Sequence, residues 1–406
     1  MNDDNKPKGV RPAGLPKKAV GPPGARPSGP KGPKPAGPPG KPSRPPARLG
    51  ARPAPPQQAR IVPQPSGDGE AEGLPVLTKK DFDSGADVRW CPGCGDYAVL
   101  AAVRRVLPEL TEKKEDVVFI SGIGCASRFP YYMNTYGVHS IHGRAPTLAT
   151  GLKASRPELD VWVVTGDGDA LSIGAGHFAH VLRRNVDLQI ILFNNEIYGL
   201  TKGQYSPTSE MGKVTKSTPY GSLDHPFNPL GLGFGAEGTF LARTLDRDPK
   251  HMQAIFRRAH AHRGTSLVEV YQNCNIFNDG AFFTYTERES RALNTVLLEH
   301  GRPVVYDEGR KGLKLDGLQL KSIDLTNGSS TSDCLVHDET DRTLAQIYMQ
   351  QLFRNAELPR PFGVIYVENR PTYDALMQAQ IDEVTAKKGK GDLKALLHAG
   401  HTWTID

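Results

Sequence analysis

Long apolar runs are missing from this 406-residue sequence. No stretch reaches the ~18 apolar residues that a membrane-spanning helix needs. No apolar run near the N-terminus has signal-peptide character either. The expectation is a soluble, cytoplasmic protein with no membrane contact. Cysteine is scarce, at five residues, which points away from disulfide staples and toward metal or redox ligands. Also missing is a G-x-G-x-x-G opening a helix in a Rossmann setting, so nothing marks a nicotinamide site. Apolar residues amount to only 38% of the chain, below the usual share of a compact domain.

That deficit has an address. Residues 1–60 hold 17 of the 34 prolines and 13 lysines or arginines against Asp3 and Asp4 alone, a net +11 in a chain whose total is +6. Residues 61–406 therefore carry about −5, and a basic tail is joined to a mildly acidic body. The tail has too few apolar side chains to offset the entropy of folding, and its proline content favours polyproline II conformations. A collagen reading fails because the steps from Gly24 to Gly29 and from Gly32 to Gly37 break the triplet period. Residues 1–70 are expected to be a disordered tail. Charge alone could bring nucleic acid to it, although a solvated tether is the plainer reading and nucleic acid is not expected as a partner.

From about residue 80 the pattern changes to apolar strands alternating with helical stretches. VVFISGIG (117–124), VWVVTGDGD (161–169), LQIILFNN (188–195) and SLVEVYQNC (266–274) read as strands, and GAGHFAHVLRRN (174–185) as a helix. Continuous apolar strands separated by helices indicate a parallel sheet covered on both faces. The expected fold class is α/β, a doubly wound parallel sheet over residues 78–280. Residues 281–406 read as a C-terminal extension packing on that core or on a partner. Within it 338–355 is expected to be helical, and 361–380 to be a strand, a turn and a helix.

The stretch GDGDALSIGAGHFAHVLRRNVDLQIILFNN, residues 166–195, is a strand–helix–strand unit. A right-handed crossover brings both carboxyl strand ends to one edge, where ligands bind. One end offers the Asp167 carboxylate and the other the Asn195 amide oxygen, hard ligands suited to Mg²⁺. Gly166 and Gly168 let the backbone approach a diphosphate, and a following helix N-terminus would add N–H groups and a positive dipole end. In this order the motif resembles the thiamine diphosphate-binding motif of thiamine-dependent enzymes. The resemblance implies that Asp167, Asn195 and the backbone carbonyl of Ile197 hold Mg²⁺.

The sequence WCPGCGD supplies Cys91 and Cys94, while Cys125 and Cys274 follow two of the expected strands. CxxC with two distant cysteines at one sheet edge makes a four-thiol site, for zinc or for an iron–sulfur cluster. Spacing alone does not choose. Thioredoxin-like exchange would need no further ligands.

Taken together, WCPGCGD, GIGCASRFPYY, HGRAPTLATGLK, GDGD…NNEIYGLTKGQ and QNC resemble the beta subunit of 2-oxoacid:ferredoxin oxidoreductases, over roughly residues 78–385. The resemblance implies a thiamine diphosphate and iron–sulfur domain in which Cys91, Cys94, Cys125 and Cys274 hold a 4Fe–4S cluster. Cys334 has no counterpart. It implies cofactor contacts by Ile123, Gly124, Cys125, His142, Gly143, Arg144, Asp169, Gly199 and Leu200, besides the GDG and Asn195. It implies oxidative decarboxylation of a 2-oxoacid with coenzyme A, the electrons passing to ferredoxin. Arg128 and Lys202 match substrate-side positions, and two cations favour a second carboxylate, hence 2-oxoglutarate. Pyruvate and branched-chain 2-oxoacids are the nearest alternatives. His142, in the HGR sequence that resembles the family's cofactor-facing loop, is expected at the diphosphate or at the reacting carbon. The glutamate that activates the thiamine ring in this family has no counterpart here, so an alpha subunit is expected to complete the site. Two other readings remain: a non-oxidative thiamine enzyme, which needs no cluster, and a zinc-stapled nucleic-acid-binding protein, which leaves GDG…NN without a role.

Overall fold

The computed structural model describes residues 76–405 apart from 354, 402 and 404. The expected tail, residues 1–70, lies outside the described residues. Among those described, eleven strands form one sheet: β1 Val117–Ser121, β2 Tyr136–His139, β3 Asp160–Gly166, β4 Leu188–Asn194, β5 Phe240–Leu245, β6 Thr265–Tyr271, β7 Thr295–Leu298, β8 Val305–Tyr306, β9 Lys311–Asp316, β10 Gln319–Asp324 and β11 Arg360–Val367. Their spatial order is β10-β9-β8-β7-β11-β5-β6-β4-β3-β1-β2. The six strands from β2 to β5 are parallel throughout. Next to them β11 runs antiparallel to β5 and parallel to β7, and β7 to β10 close the sheet as an antiparallel meander.

The central strands are buried on both faces because their apolar residues alternate between two cores. On β3, Val161 and Val163 enter one core while Trp162 and Val164 enter the other. On β4, Ile190 and Leu192 are divided from Ile191 and Phe193 in the same way. The helices Ala145–Ser155, Ala175–Arg184 and Arg342–Gln351 cover the first face. The helices Asp96–Leu110 and Pro249–Ala261 cover the second. Asp96–Leu110 is helical because Val99, Val103, Val106, Leu107 and Leu110 recur at helical spacing and so share one buried stripe. This is the doubly wound α/β architecture expected from the sequence.

Within residues 281–406, the strands β7 to β11 extend the same sheet. β11 is buried along its centre, between the parallel core and the meander. Gly363 within it has φ +113°, and a Cβ there would stand 2.5 Å from the Leu298 carbonyl oxygen, so only glycine allows the close pairing of β11 with β7.

Candidate functional site

β1, β3, β4 and β6 are parallel near-neighbours, so their carboxyl ends open on a common edge. β1 delivers residues 122–125 to that edge, β3 residues 167–169, β4 residues 195–197 and β6 residues 272–274. A cavity of about 170 Å³ opens there, lined by residues 123–126, 166–169 and 197–201 with His142, Phe193 and Asn195.

Asp167 is buried at the cavity wall. Its Oδ2 accepts hydrogen bonds from Ser206 Oγ at 2.5 Å and Thr208 Oγ1 at 2.6 Å. Burial raises its carboxyl to about 6, and the two hydroxyl hydrogen bonds pull the other way. Hydroxyls orient a carboxylate without neutralising it, so this side chain is prepared for a cation. Asn195 donates through Nδ2 to Gln272 Oε1 at 2.8 Å, and its Oδ1 accepts from the Ile197 N–H at 3.3 Å. Glu196, between them, sits at φ +55°. Burial, followed by the Asp167 charge, raises its carboxyl to about 8.

Asp169 holds the site's loops together. Its Oδ1 accepts from the Ile123 N–H at 3.0 Å and the Gly143 N–H at 2.7 Å, and lies 2.6 Å from His142 Nδ1. Its Oδ2 accepts from Thr165 Oγ1 at 2.7 Å. One carboxylate thus ties the β1 end and the HGR loop to the β3 end. A Cβ at Gly122 would stand 1.9 Å from that carboxylate, which reserves the position for glycine. A Cβ at Gly168 would overlap the Tyr198 ring at 2.1 Å, and Tyr198 in turn donates its hydroxyl to the Gly168 carbonyl at 3.1 Å. Both glycines therefore make room for the site's own side chains, the Asp169 carboxylate at Gly122 and the Tyr198 ring at Gly168.

The helix after the GDG differs from the expectation. A separate five-residue helix, Asp167–Leu171, follows β3, and the longer helix begins at Ala175. So short a helix has a small dipole, and the approach to a diphosphate rests on individual N–H groups.

The four thiols converge beside the cavity. The Cys94 N–H donates to the Cys91 carbonyl at 3.1 Å, closing a turn in which Gly93 has φ +82°. The sulfurs of Cys125 and Cys274 both lie 3.5 Å from where a Gly199 Cβ would stand. Burial, then the charges of Asp96, Cys274 and Cys91, push the Cys125 thiol up to about 12, with Arg128 opposing. Cys94 is raised by burial first and by Asp96, Cys274 and Cys125 after it. Burial and the neighbouring Asp246 raise Asp96 itself to about 7. Burial keeps the Cys94 and Cys125 thiols protonated on their own, and a bound cation is what would ionise them as ligands, so four converging sulfurs are a donor set that fits a metal group. Among the described residues, no set of three or more His, Cys, Asp or Glu side chains is placed closely enough, as they stand, to hold a metal ion. Cys334 is buried against Gly312 of β9, outside this group.

Other expected residues stand further out. Arg128 donates through Nε to Tyr132 Oη at 3.1 Å and faces Cys125 from outside the cavity lining. Lys202 is exposed, with φ +76°, one residue past Thr201 of the lining. Arg144 is exposed and meets His177. The structure also adds Ser206, Thr208, Tyr198 and Gln272, which the sequence reading passed over. Only Gln272, the first residue past β6 in YQN, had a signal in its place at a strand end.

Residues 122–270 match the family described as the thiamine pyrophosphate enzyme C-terminal TPP binding domain. The chain is 50% identical over 331 residues to the 2-oxoglutarate oxidoreductase subunit KorB of Mycobacterium tuberculosis, an alignment spanning 80% of this chain and 88% of the relative. It is 45% identical over 192 residues to the 2-oxoacid:ferredoxin oxidoreductase subunit beta of Saccharolobus solfataricus, covering 47% of this chain and 63% of that one. Its fold aligns with a chain of the 2-oxoglutarate:ferredoxin oxidoreductase from Magnetococcus marinus, solved with 2-oxoglutarate, coenzyme A and succinyl-CoA bound. That match has a TM-score of 0.64 and 31% identity, and covers 81% of this chain and 98% of the other. A thiamine-type strand edge with four thiols at its side, and half-identity along most of a KorB subunit, place this chain in the family of 2-oxoacid:ferredoxin oxidoreductase beta subunits.

Proposed function

We propose that this chain, with an alpha subunit, oxidatively decarboxylates 2-oxoglutarate with coenzyme A and passes the electrons through a 4Fe–4S cluster to ferredoxin. The observation that carries the reading is the meeting of Asp167, Asn195 and four cysteines at one strand edge. Asp167 and Asn195, with the Ile197 carbonyl, would hold Mg²⁺ and through it the diphosphate. Cys91, Cys94, Cys125 and Cys274 would hold the cluster. Bound thiamine diphosphate supplies the electron sink for carbon–carbon cleavage.

The chain's own groups do the rest. Asp169 keeps His142 at the cavity wall, with its ring nitrogen Nδ1 against the carboxylate, so Nε2 is the atom left to meet a substrate proton. Phe193 and Ile197 keep water from the cavity floor. Arg128 and Lys202 stand outside the lining, where a dicarboxylate's distal carboxylate would project. The M. tuberculosis relative, at 50% identity named for 2-oxoglutarate, supports that substrate over pyruvate.

The test is metal analysis and a visible spectrum on the complex co-expressed with its alpha subunit and purified without air. About four irons per chain and a visible band that bleaches on reduction are expected, together with higher kcat/KM for 2-oxoglutarate than for pyruvate. One zinc and no visible band would overturn the electron-transfer reading. A preference for pyruvate would overturn the substrate alone.

A further inference from the structure

One buried amide touches both centres. Gln272 is the first residue past β6 and is 1% exposed. Its Nε2 lies 3.3 Å from Cys94 Sγ and 2.6 Å from the Asn273 carbonyl oxygen. Its Oε1 lies 2.8 Å from Asn195 Nδ2. Its backbone N–H is held by the Asn194 carbonyl at 2.9 Å, so the side chain starts from a fixed point on the sheet.

The orientation of both amides follows from what each neighbour can do. A backbone carbonyl only accepts, and that of Asn273 also takes the Gly95 N–H at 3.2 Å. The end of Gln272 facing it must therefore be the NH₂ group, whose second hydrogen is then directed at Cys94 sulfur. The other end is the oxygen, which needs a donor, and so Asn195 must turn its NH₂ group inward. That leaves Asn195 Oδ1 on the cavity side, next to the Ile197 N–H. A mistaken flip at either amide would set two acceptors, or two donors, against each other inside a buried site. Polarity is thus relayed from the Asn273 carbonyl to the atom that would face a metal.

We propose that Gln272 is a positioning residue shared by the two centres: one N–H supports the Cys94 sulfur, and its carbonyl turns the Asn195 oxygen toward the cavity. The inference rests on the cluster and diphosphate reading above. A hydrogen bond to a cluster thiolate stabilises its electron-rich state and makes the cluster easier to reduce. A fixed amide gives the metal a ligand whose direction is set before binding. Both effects come from one side chain that touches neither substrate nor thiamine ring.

The experiment uses the co-expressed complex in three forms: unaltered, Gln272→Met and Gln272→Glu. Iron content, the cluster's midpoint potential by redox titration with electron paramagnetic resonance, and the Mg²⁺-dependent Kd for thiamine diphosphate by calorimetry are measured on each. Gln272→Met removes donor and acceptor with similar volume, so the potential falls and Kd rises roughly 10-fold or more. Gln272→Glu keeps an acceptor for Asn195 but loses the N–H toward sulfur and sets a carboxylate oxygen against the Asn273 carbonyl, so the potential falls while Kd rises less than in Gln272→Met. Variants with full iron, an unmoved potential and an unmoved Kd would overturn the inference while leaving the proposed function standing, even if their unfolding temperature dropped. An unaltered complex without iron would remove the function reading, and this inference with it.

Discussion

At the scale of single residues, the site depends on a carboxylate whose neighbours orient it but do not neutralise it. Asp167 is buried with Ser206 and Thr208 hydroxyls on Oδ2, so its free energy is lowest when a cation is present. Asp167→Asn keeps the shape and removes the charge. The expected result, on the co-expressed complex, is a loss of at least about 100-fold in Mg²⁺-dependent thiamine diphosphate affinity, with unfolding in the absence of cofactor unchanged or slightly improved. Calorimetry that found equal affinity would remove Asp167 from the metal's ligands. Asp167, Asn195, Cys125 and Cys274 could be placed at one edge from the sequence because parallel strands deliver their carboxyl ends there, whatever loops intervene. Cys91 and Cys94 lead into the helix Asp96–Leu110 instead and were marked by the CxxC spacing. Ser206, Thr208 and the direction of Gln272 were not legible in the same way. The first two lie on the long irregular segment between β4 and the helix Pro229–Gly235, where no periodicity says which side chain returns to the edge. The direction of Gln272 depends on a backbone carbonyl that no sequence pattern reports.

At the scale of elements, β5 shows why one central strand went unread. Its sequence FLARTL is interrupted by a charge, and yet all six residues are buried. Arg243 stands in register with Glu269 of β6 and pairs with it through Nε at 2.7 Å. Glu269 also accepts from Asn194 Nδ2 on β4 at 2.8 Å, so the ion pair spans three strands beneath the site. Arg243→Met alone strands a buried carboxylate and should cost roughly 3–5 kcal/mol, whereas the double change with Glu269→Gln should recover most of that. Denaturant unfolding of both variants measures it, and equal losses would show the pair to be uncoupled. The exposed edge strand β2 was missed for the opposite reason, having no buried face to impose alternation. The helix Pro249–Ala261 carries a pH-dependent cap. Burial works to raise the Asp248 carboxyl, but hydrogen bonds from Arg291 at 2.7 Å and from the His251 N–H at 3.1 Å outweigh it and hold the group below its ordinary value. A depressed folded value means the stabilisation is complete above the ordinary carboxylate pKa, about 4, and is lost as pH falls through the folded one. Asp248→Ala should cost about 1 kcal/mol at neutral pH. Its thermal unfolding curve should meet that of the unaltered protein as pH drops below about 4. A gap that persisted in acid would mean the loss is not electrostatic.

At the scale of the molecule, the cavity is too small to enclose its proposed cofactor. Pockets that enclose a ligand of that size hold about 300–1,000 Å³ and bury most of its surface, against about 170 Å³ here. The rim beyond it is apolar and open: Leu200 is 48% exposed, and Ile141 and Ile173, beside the HGR loop, are 73% and 53% exposed. Isolated apolar side chains on a surface mean little by themselves, but these three, in the lining and beside the HGR loop, are the kind of surface that a partner subunit would cover. The alpha subunit of the proposed complex is the partner that would cover it, and would supply the group that meets the thiamine ring. Covering even on the order of 100 Å² of the cofactor's apolar surface is worth about 2.5 kcal/mol at ~25 cal/mol/Å², close to a hundredfold in Kd. The isolated chain, loaded with Mg²⁺, should therefore bind thiamine diphosphate about a hundredfold more weakly than the co-expressed complex. Calorimetry on both decides it. Weak binding that tightens when the alpha subunit is added back would place the second half of the site on the partner. Equal affinity, with turnover by the isolated chain, would mean that the residues from β1, β3, β4 and β6 form a complete site by themselves.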